Sequence, residues 1–306
     1  MTHALPPQES TALRQRAILR VLAITLVLNL IVAILKLVFG HASGSVALWA
    51  DGLHSLLDSS SNVVAIVGIW VAHRPPDPGH PYGHRKFEAM AALAISAFLF
   101  FACYEILMTA LDRFKGSHTI EQSPAIYAVA IGTLFVNLFV SRYERVQGKR
   151  LGSEVLLADS VHTGSDVWAT LLVLLSFVSA RFGWTVVDGA SALVIAAVIA
   201  YAGWQIVQRT LPTLADAALI PAENLVEEAE RVAGVRECHE VRSRGVPDEV
   251  LVDLHILVDP MLPIAEAHQI GHRVERVVRT RWPEVQEVLV HIEPDEPGER
   301  KRKSRV

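Results

Sequence analysis

Six long apolar runs, near residues 17–39, 46–72, 88–111, 124–142, 155–180 and 185–208, occupy the first two thirds of the chain. A spanning helix needs ~20 mostly apolar residues, so the pattern predicts six transmembrane helices. After Arg209 no further run is long enough to span. There "AENLVEEAERVA" (222–233) has helical periodicity with acidic residues in its first turns. "VRECHEVRSR" and "EVLVDLHILVD" read as strands, the second with Val250, Val252, Leu254, Ile256 and Val258 on one face. "LPIAEAHQIGHRVERVVRTRW" is an amphipathic helix and "QEVLVHIE" a final strand. The predicted organisation is an α-helical membrane domain over 1–212, a small αββαβ (α+β) domain over 213–295 with a sheet backed by two helices, and a basic, solvated tail over 296–306.

Composition agrees with that division. The chain is 51% hydrophobic, with a mean hydropathy of +0.34, too apolar for an ordinary soluble protein. The start, "MTHALPPQESTALRQR", is polar, and the apolar run after it is too long for a signal-peptide core. Two cysteines, Cys103 and Cys238, make no disulfide framework. Basic residues gather in alternate connections: Arg14, Arg16 and Arg20, then Arg74, Arg85 and Lys86, then Arg142, Arg145, Lys149 and Arg150. The opposite connections hold only Arg113, Lys115 and Arg181. By the positive-inside rule, both termini and the small domain are expected in the cytoplasm of a plasma or inner membrane. The lipid bilayer is the expected surrounding, and nucleic acid is not an expected partner.

Polar residues inside the apolar runs change the picture. "ADGLHSLLD" (50–58) and "ADSVHTGSD" (158–166) carry the same ionisable letters at the same spacings. An ionisable side chain at mid-bilayer costs ~2.5–3.5 kcal/mol even on the mildest scales. At ~100° per residue, Asp51, His54, Asp58 and Asn62 form one narrow stripe on the second span. Asp159, His162, Asp166 and Thr170 form the same stripe on the fifth. Antiparallel pairing of these spans brings His54 and Asp58 level with His162 and Asp166. Asp51 then lies toward one side of the membrane and Asp159 toward the other, each a proposed access step. Elsewhere, Lys36 and Glu105 lie toward the outer end, where Lys36 is expected to snorkel to the interface.

Two imidazoles and two carboxylates suit tetrahedral Zn²⁺, whereas Ca²⁺ and Mg²⁺ prefer more oxygens. A metal at histidine must displace protons, which couples binding to pH. Four protein ligands leave no open position for a hydrolytic water, and no H-E-x-x-H turn is present. An enzyme is therefore not expected. In the second connection, "PPDPGHPYGHRKFE" (75–88) gathers Asp77, His80 and His84. In the small domain, strand alternation turns His255, His291 and Glu293 away from the apolar face, while His272 and Asp253 read as surface residues.

These residues resemble the cation diffusion facilitator family, dimeric six-helix transporters that export divalent metals using the proton gradient. The resemblance runs from "GSVALWADGLHSLLD" through "HPYGHRKFE" and "ADSVHTGSDV" into the small domain. It implies a transport site of His54, Asp58, His162 and Asp166, with two H-x3-D pairs as in zinc-preferring members, and Zn²⁺ and H⁺ as the exchanged ions. Members with Asp at the first position are more permissive toward cadmium, iron or manganese. It implies a loop zinc site at Asp77, His80 and His84, as in some bacterial members. It further implies a zinc cluster at the homodimer contact from His239, His255, His268, His291 and Glu293, where Glu293 replaces the usual aspartate. A hinge salt bridge between Lys86 and Asp216 completes the set. Open alternatives are export of Fe²⁺, Co²⁺, Cd²⁺ or Mn²⁺ by the same fold, or a membrane zinc sensor that does not transport.

Overall fold

A computed structural model describes residues 7–43, 46–115, 124–182 and 185–296. Some side chains within these ranges, Asp51 and His54 among them, lie outside the described set. The chain divides into two compact units between Leu211 and Pro212.

The first unit is a bundle of six long helices: α1 (Pro7–Ser43), α2 (Val46–Ala72), α3 (Lys86–Lys115), α4 (Pro124–Leu151), α5 (Glu154–Phe182) and α6 (Thr185–Leu214). Its polarity is inverted relative to a soluble protein. Trp70, Phe101, Tyr104, Phe135, Phe139 and Val194 are exposed, whereas Thr25, Asn62, Thr133, Asn137, Glu144 and Asp159 are buried. Lipid is as apolar as leucine, so such a bundle is held by close packing and interhelical hydrogen bonds instead. Among the described residues, Leu13–Phe39, Lys86–Met108 and Leu193–Leu214 are long and apolar enough to span by composition alone.

Contacts fix the helix directions. Asn29 donates to Asn62 at 2.9 Å and Lys36 to Ser55 at 2.8 Å, so α1 and α2 run antiparallel. Gly68 faces Ala91 and Arg85 reaches His73 at 3.0 Å, so α2 and α3 also run antiparallel. Ser153 donates to Glu88 at 2.6 Å, and further along Phe98 meets the His162 ring at 6.2 Å, so α3 and α5 run in the same sense. It follows that α2 is antiparallel to α5. A Cβ at Gly68 would lie 2.3 Å from the Ala91 Cβ, which explains glycine at that crossing.

Two sequence expectations are corrected here. The basic residues Arg142, Arg145, Lys149 and Arg150 do not sit in a loop; α4 continues through them, and only Gly152 and Ser153 separate it from α5. Gly152 adopts φ 60°, a value glycine takes without strain. Arg14 closes this end by donating to the Leu151 carbonyl at 2.8 Å and the Gly152 carbonyl at 2.9 Å. Nor does Lys36 snorkel: it is 5% exposed and bonded to Ser55, because an inward hydroxyl offers a nearer partner than the interface.

The second unit has the order α7 (Ala222–Glu230), β1 (Glu237–Val246), β2 (Glu249–Val258), α8 (Ile264–Arg281) and β3 (Val285–Pro294). β1 pairs antiparallel with β2, and β2 pairs parallel with β3 through the α8 crossover. Leu225, Ala229, Ile270, Val274 and Val278 from the helices pack against Val250, Val252, Leu254, Ile256 and Val288 from the sheet. The even-numbered residues of β2 thus face the helices, leaving Asp253 and His255 on the other face.

Candidate metal centres

Among the described residues two groups of metal-ligating side chains converge, in the α2–α3 connection and on the small sheet; the α2–α5 contact, where the sequence leads one to expect a third, comes first. Asp159 is fully buried and accepts hydrogen bonds from Ser61 at 3.0 Å and from the Asn62 amide. Glu144 of α4 also lies within hydrogen-bonding reach of Asp159 and accepts from Thr163 at 3.3 Å. Because α2 and α5 are antiparallel, each turn back along α2 from Ser61 meets a turn forward along α5 from Asp159. Counting from that contact, Asp58 comes level with His162 and position 54 with Asp166. His162 is 4% exposed, and neither ring nitrogen has a hydrogen-bond partner. Two buried, unbonded imidazole nitrogens are costly, and a cation would satisfy one of them. Asp58 and Asp166 are half-buried, and Thr170 turns back to the Asp166 carbonyl at 2.8 Å. The side chains of His54 and Asp51 lie outside the described residues.

Asp159 differs from its expected setting. Rather than lining an open path, it is sealed between Ser61, Asn62 and Glu144. The chain Asn29–Asn62–Asp159 links α1, α2 and α5. Sequence reasoning missed Glu144, whose neighbours in "RYERVQGKR" read as a basic surface.

The second group is the α2–α3 connection. Asp77 Oδ1 accepts from the backbone N–H groups of Gly79 at 2.9 Å and His80 at 2.8 Å, which curls the loop. The His80 N–H is the main reason the Asp77 carboxyl is held below its usual range, keeping it ionised. Asp77 lies 3.3 Å from His80 Nδ1 through Oδ1 and 3.3 Å from His84 Nε2 through Oδ2. One ligand atom from each residue falls within 4.8 Å of the others. The two imidazoles are 4.3 Å apart between centroids, both against Phe87, and the buried His84 Nδ1 has no partner. A carboxylate and two imidazoles on a short loop are a donor set that fits Zn²⁺. Lys86 follows directly, as the first residue of α3.

The third group is a row across the small sheet. Register sets His239 of β1 opposite His255 of β2, and His255 opposite His291 of β3. Glu293 sits under them, 3.0 Å from His255 Nδ1, 3.2 Å from His239 Nε2 and 3.4 Å from His291 Nε2. Glu293 is only 5% exposed, so the histidines roof it over. The His239–Glu293 contact lacks hydrogen-bond geometry, and both His239 nitrogens and Glu293 Oε2 are buried without a bond. Such atoms aimed at a shared point fit a cation. A β-bulge between His239 and Arg242, with Glu240 at φ 47°, brings the Glu240 carboxylate 3.7 Å from His255 Nε2. Bulges commonly re-aim side chains at sites, and Glu240 was not legible in the sequence. Within one protomer His268 stands on α8 beside His272. Asp216, in the second unit just beyond α6, adopts φ 54°.

Comparison with known proteins agrees with this architecture. Residues 22–215 match the cation efflux transmembrane domain, and residues 221–295 match the cation efflux protein cytoplasmic domain. The chain belongs to the cation diffusion facilitator family. It is a multi-pass membrane transporter of divalent metal cations, not an enzyme. An uncharacterised transporter of Methanocaldococcus jannaschii is 30% identical over 91% of this chain and 99% of its own length. The manganese efflux system protein MneS of Bacillus subtilis is 28% identical over 87% of this chain and 91% of its own. The cation-efflux pump FieF of Serratia proteamaculans is 27% identical over 86% and 88%. A solved structure of a MamM CTD variant aligns at 34% identity over 24% of this chain and 92% of its own, with a TM-score of 0.23.

Proposed function

We propose that this transporter exports Zn²⁺ from the cytoplasm in exchange for H⁺, by alternating access at His54, Asp58, His162 and Asp166. The observation that carries the reading is His162, buried between helices with both ring nitrogens unbonded, at the level the Ser61–Asp159 contact assigns to Asp58. Imidazole and carboxylate bind Zn²⁺ only when deprotonated. Protons arriving from the far side therefore compete for the same four groups and release the ion. Asp51 and Asp159 are the steps on either side, and Asp159 serves only when its bonds to Ser61 and Asn62 open.

The match to the dimerising cytoplasmic domain supports a homodimer. His239, His255, His268, His291 and Glu293 would hold a resident Zn²⁺ cluster at the dimer contact, and Asp77, His80 and His84 a single Zn²⁺ in the loop. Resident zinc there cross-links strands or loop turns. Lys86 and Asp216 are proposed as the hinge pair. The distribution of Lys and Arg supports a cytoplasmic location for both termini.

A second cargo has its own support, since two relatives are named for manganese efflux. A metal-competition assay in proteoliposomes separates the readings. Zinc preference predicts that Mn²⁺ and Cd²⁺ compete poorly in the wild type and that His54→Asp admits Cd²⁺. An unchanged metal profile in His54→Asp contradicts the selectivity argument. Metal binding without flux in the wild type identifies a sensor instead.

A further inference from the structure

We propose that a cleft between α5 and α6 is a binding site for one anionic phospholipid, with Arg145, Lys149 and Arg209 around its headgroup. The cleft has a volume of about 340 Å³. One wall is α5 from Glu154 to Trp168, and the other is α6 from Val198 to Arg209. Arg145 and Lys149 of α4 and Leu99 of α3 complete the lining.

Helical spacing shows why a cleft forms there. At ~100° per residue, Leu157, Val161, Gly164 and Trp168 lie within about 60° of one another, on the opposite side of α5 from the Asp159–His162–Asp166 stripe. Val198, Ala202, Gln205 and Arg209 form a matching stripe on α6. Small side chains at Ala158, Gly164, Ser165 and Ala202 leave space that larger ones would fill. The polar face of α5 meets α2, and its reverse carries an open channel.

The channel is long, and its two ends differ. At 1.5 Å per residue, α5 rises roughly 21 Å from Glu154 to Trp168, and α6 roughly 16 Å from Val198 to Arg209. Arg145, Lys149 and Glu154 gather at the end where Gly152 and Ser153 join α4 to α5. Arg209 stands at the same end, close enough for its charge to act on Glu154. Because α4 stays helical through the basic stretch, Arg145 and Lys149 are four apart on one face. Away from this mouth the lining is mainly apolar, with Leu157, Val161, Trp168, Val198 and Ile199. An apolar cleft offers water no partners, so in a bilayer an acyl chain fills it. A charged mouth over an apolar shaft matches the outline of one phospholipid.

Charge selects the headgroup. Arg145, Lys149 and Arg209 are exposed, and among the described residues none of them forms an ion pair within 4.0 Å. Glu154 is the one carboxylate lining the cleft, so the mouth is net positive. Two guanidinium forks and an ammonium suit a phosphate, and basic pockets between transmembrane helices hold anionic headgroups in this way. A zwitterionic headgroup brings a cation back to the same mouth and loses the advantage. The bound lipid lies behind the helix that carries His162 and Asp166, but its site does not depend on which metal is carried.

The test is native mass spectrometry of the full-length chain in detergent micelles with added phosphatidylglycerol or phosphatidylcholine, counting lipids retained per chain. The wild type retains one phosphatidylglycerol and releases phosphatidylcholine. Arg145→Gln, Lys149→Gln and Arg209→Gln each weaken retention about fivefold, the equivalent of ~1 kcal/mol per cation, and the triple variant weakens it roughly 100-fold. Ala202→Trp fills the shaft and displaces the lipid with all three cations intact. Val198→Trp does the same from an exposed position, where folding is not at risk. Excess inorganic phosphate at constant ionic strength leaves the lipid in place. Equal retention of the two lipids, or wild-type retention in the triple variant, overturns the proposal. So does displacement by inorganic phosphate, which identifies a free-anion site. Unchanged retention in both tryptophan variants also overturns it, leaving the headgroup on the surface without the cleft.

Discussion

Ser61 of α2 donates its hydroxyl to the buried carboxylate of Asp159 on α5 at 3.0 Å. This one contact sets the register of the two helices that carry the paired H-x3-D turns. Asn62 strengthens it, tied in turn to Asn29 of α1. The register contact lies one turn from the proposed ligands.

Asn62→Ala removes a donor from a buried carboxylate. Leaving such a group short of a partner costs roughly 1–3 kcal/mol, so the thermal unfolding midpoint in detergent should fall by several degrees. Asn62→Asp adds a third carboxylate to Asp159 and Glu144 and should destabilise further at neutral pH. Equal midpoints for wild type and both variants contradict the locking role.

Gly68 meets Ala91 where α2 crosses α3. Gly68→Val forces the helices apart, and overpacking of this kind costs roughly 1–3 kcal/mol. Adding Ala91→Gly should recover part of the loss, because it removes the Cβ that valine would strike. Additive destabilisation in the double variant refutes the crossing as described.

His73, just past α2, donates through Nδ1 to the Ile69 carbonyl at 2.9 Å and accepts from Arg85 through Nε2 at 3.0 Å. Both bonds fit the neutral ring, and burial, its largest influence, lowers its pKa from the ordinary value. The native state therefore binds fewer protons here than the unfolded chain. Its contribution is present above about pH 6.5 and is lost as pH falls through the lowered value. Thermal unfolding followed from pH 8 to pH 5 should show a shallower decline in His73→Gln than in the wild type. Parallel curves for the two proteins would contradict this.

Glu293 gathers three histidines from three adjacent strands. Glu293→Ala should abolish Zn²⁺ binding at that row, read as a lost equivalent by equilibrium dialysis. Glu293→Asp, one methylene shorter, should retain it at reduced affinity. Full zinc occupancy in Glu293→Ala refutes the row as a metal centre.

Much of this was legible in the chain, for identifiable reasons. Apolar runs mark the six long helices α1 to α6 because each is one uninterrupted apolar stretch bounded by polar connections. The alternation from Val250 to Val258 marks β2 because one face packs on α7 and α8. The matched turns around His54 and His162 stand out because polar residues are conspicuous in apolar surroundings. Contacts between distant elements were hidden. Glu144 lies in a basic stretch and meets Asp159 only through the α4–α5 packing. Glu240 reaches His255 only because of a bulge that strand alternation does not foresee. Lys36 was misplaced because its partner Ser55 is a small residue on another helix.

The central claim, a zinc site between α2 and α5 driven by protons, is tested most directly by Zn²⁺ flux into proteoliposomes under an imposed pH gradient. Wild-type protein should carry Zn²⁺ against the proton flow, and flux should collapse when the gradient is dissipated. Asp166→Ala and Asp58→Asn should abolish flux while the protein keeps its unfolding midpoint. Undiminished zinc flux in either variant, or wild-type flux indifferent to the gradient, would contradict the account.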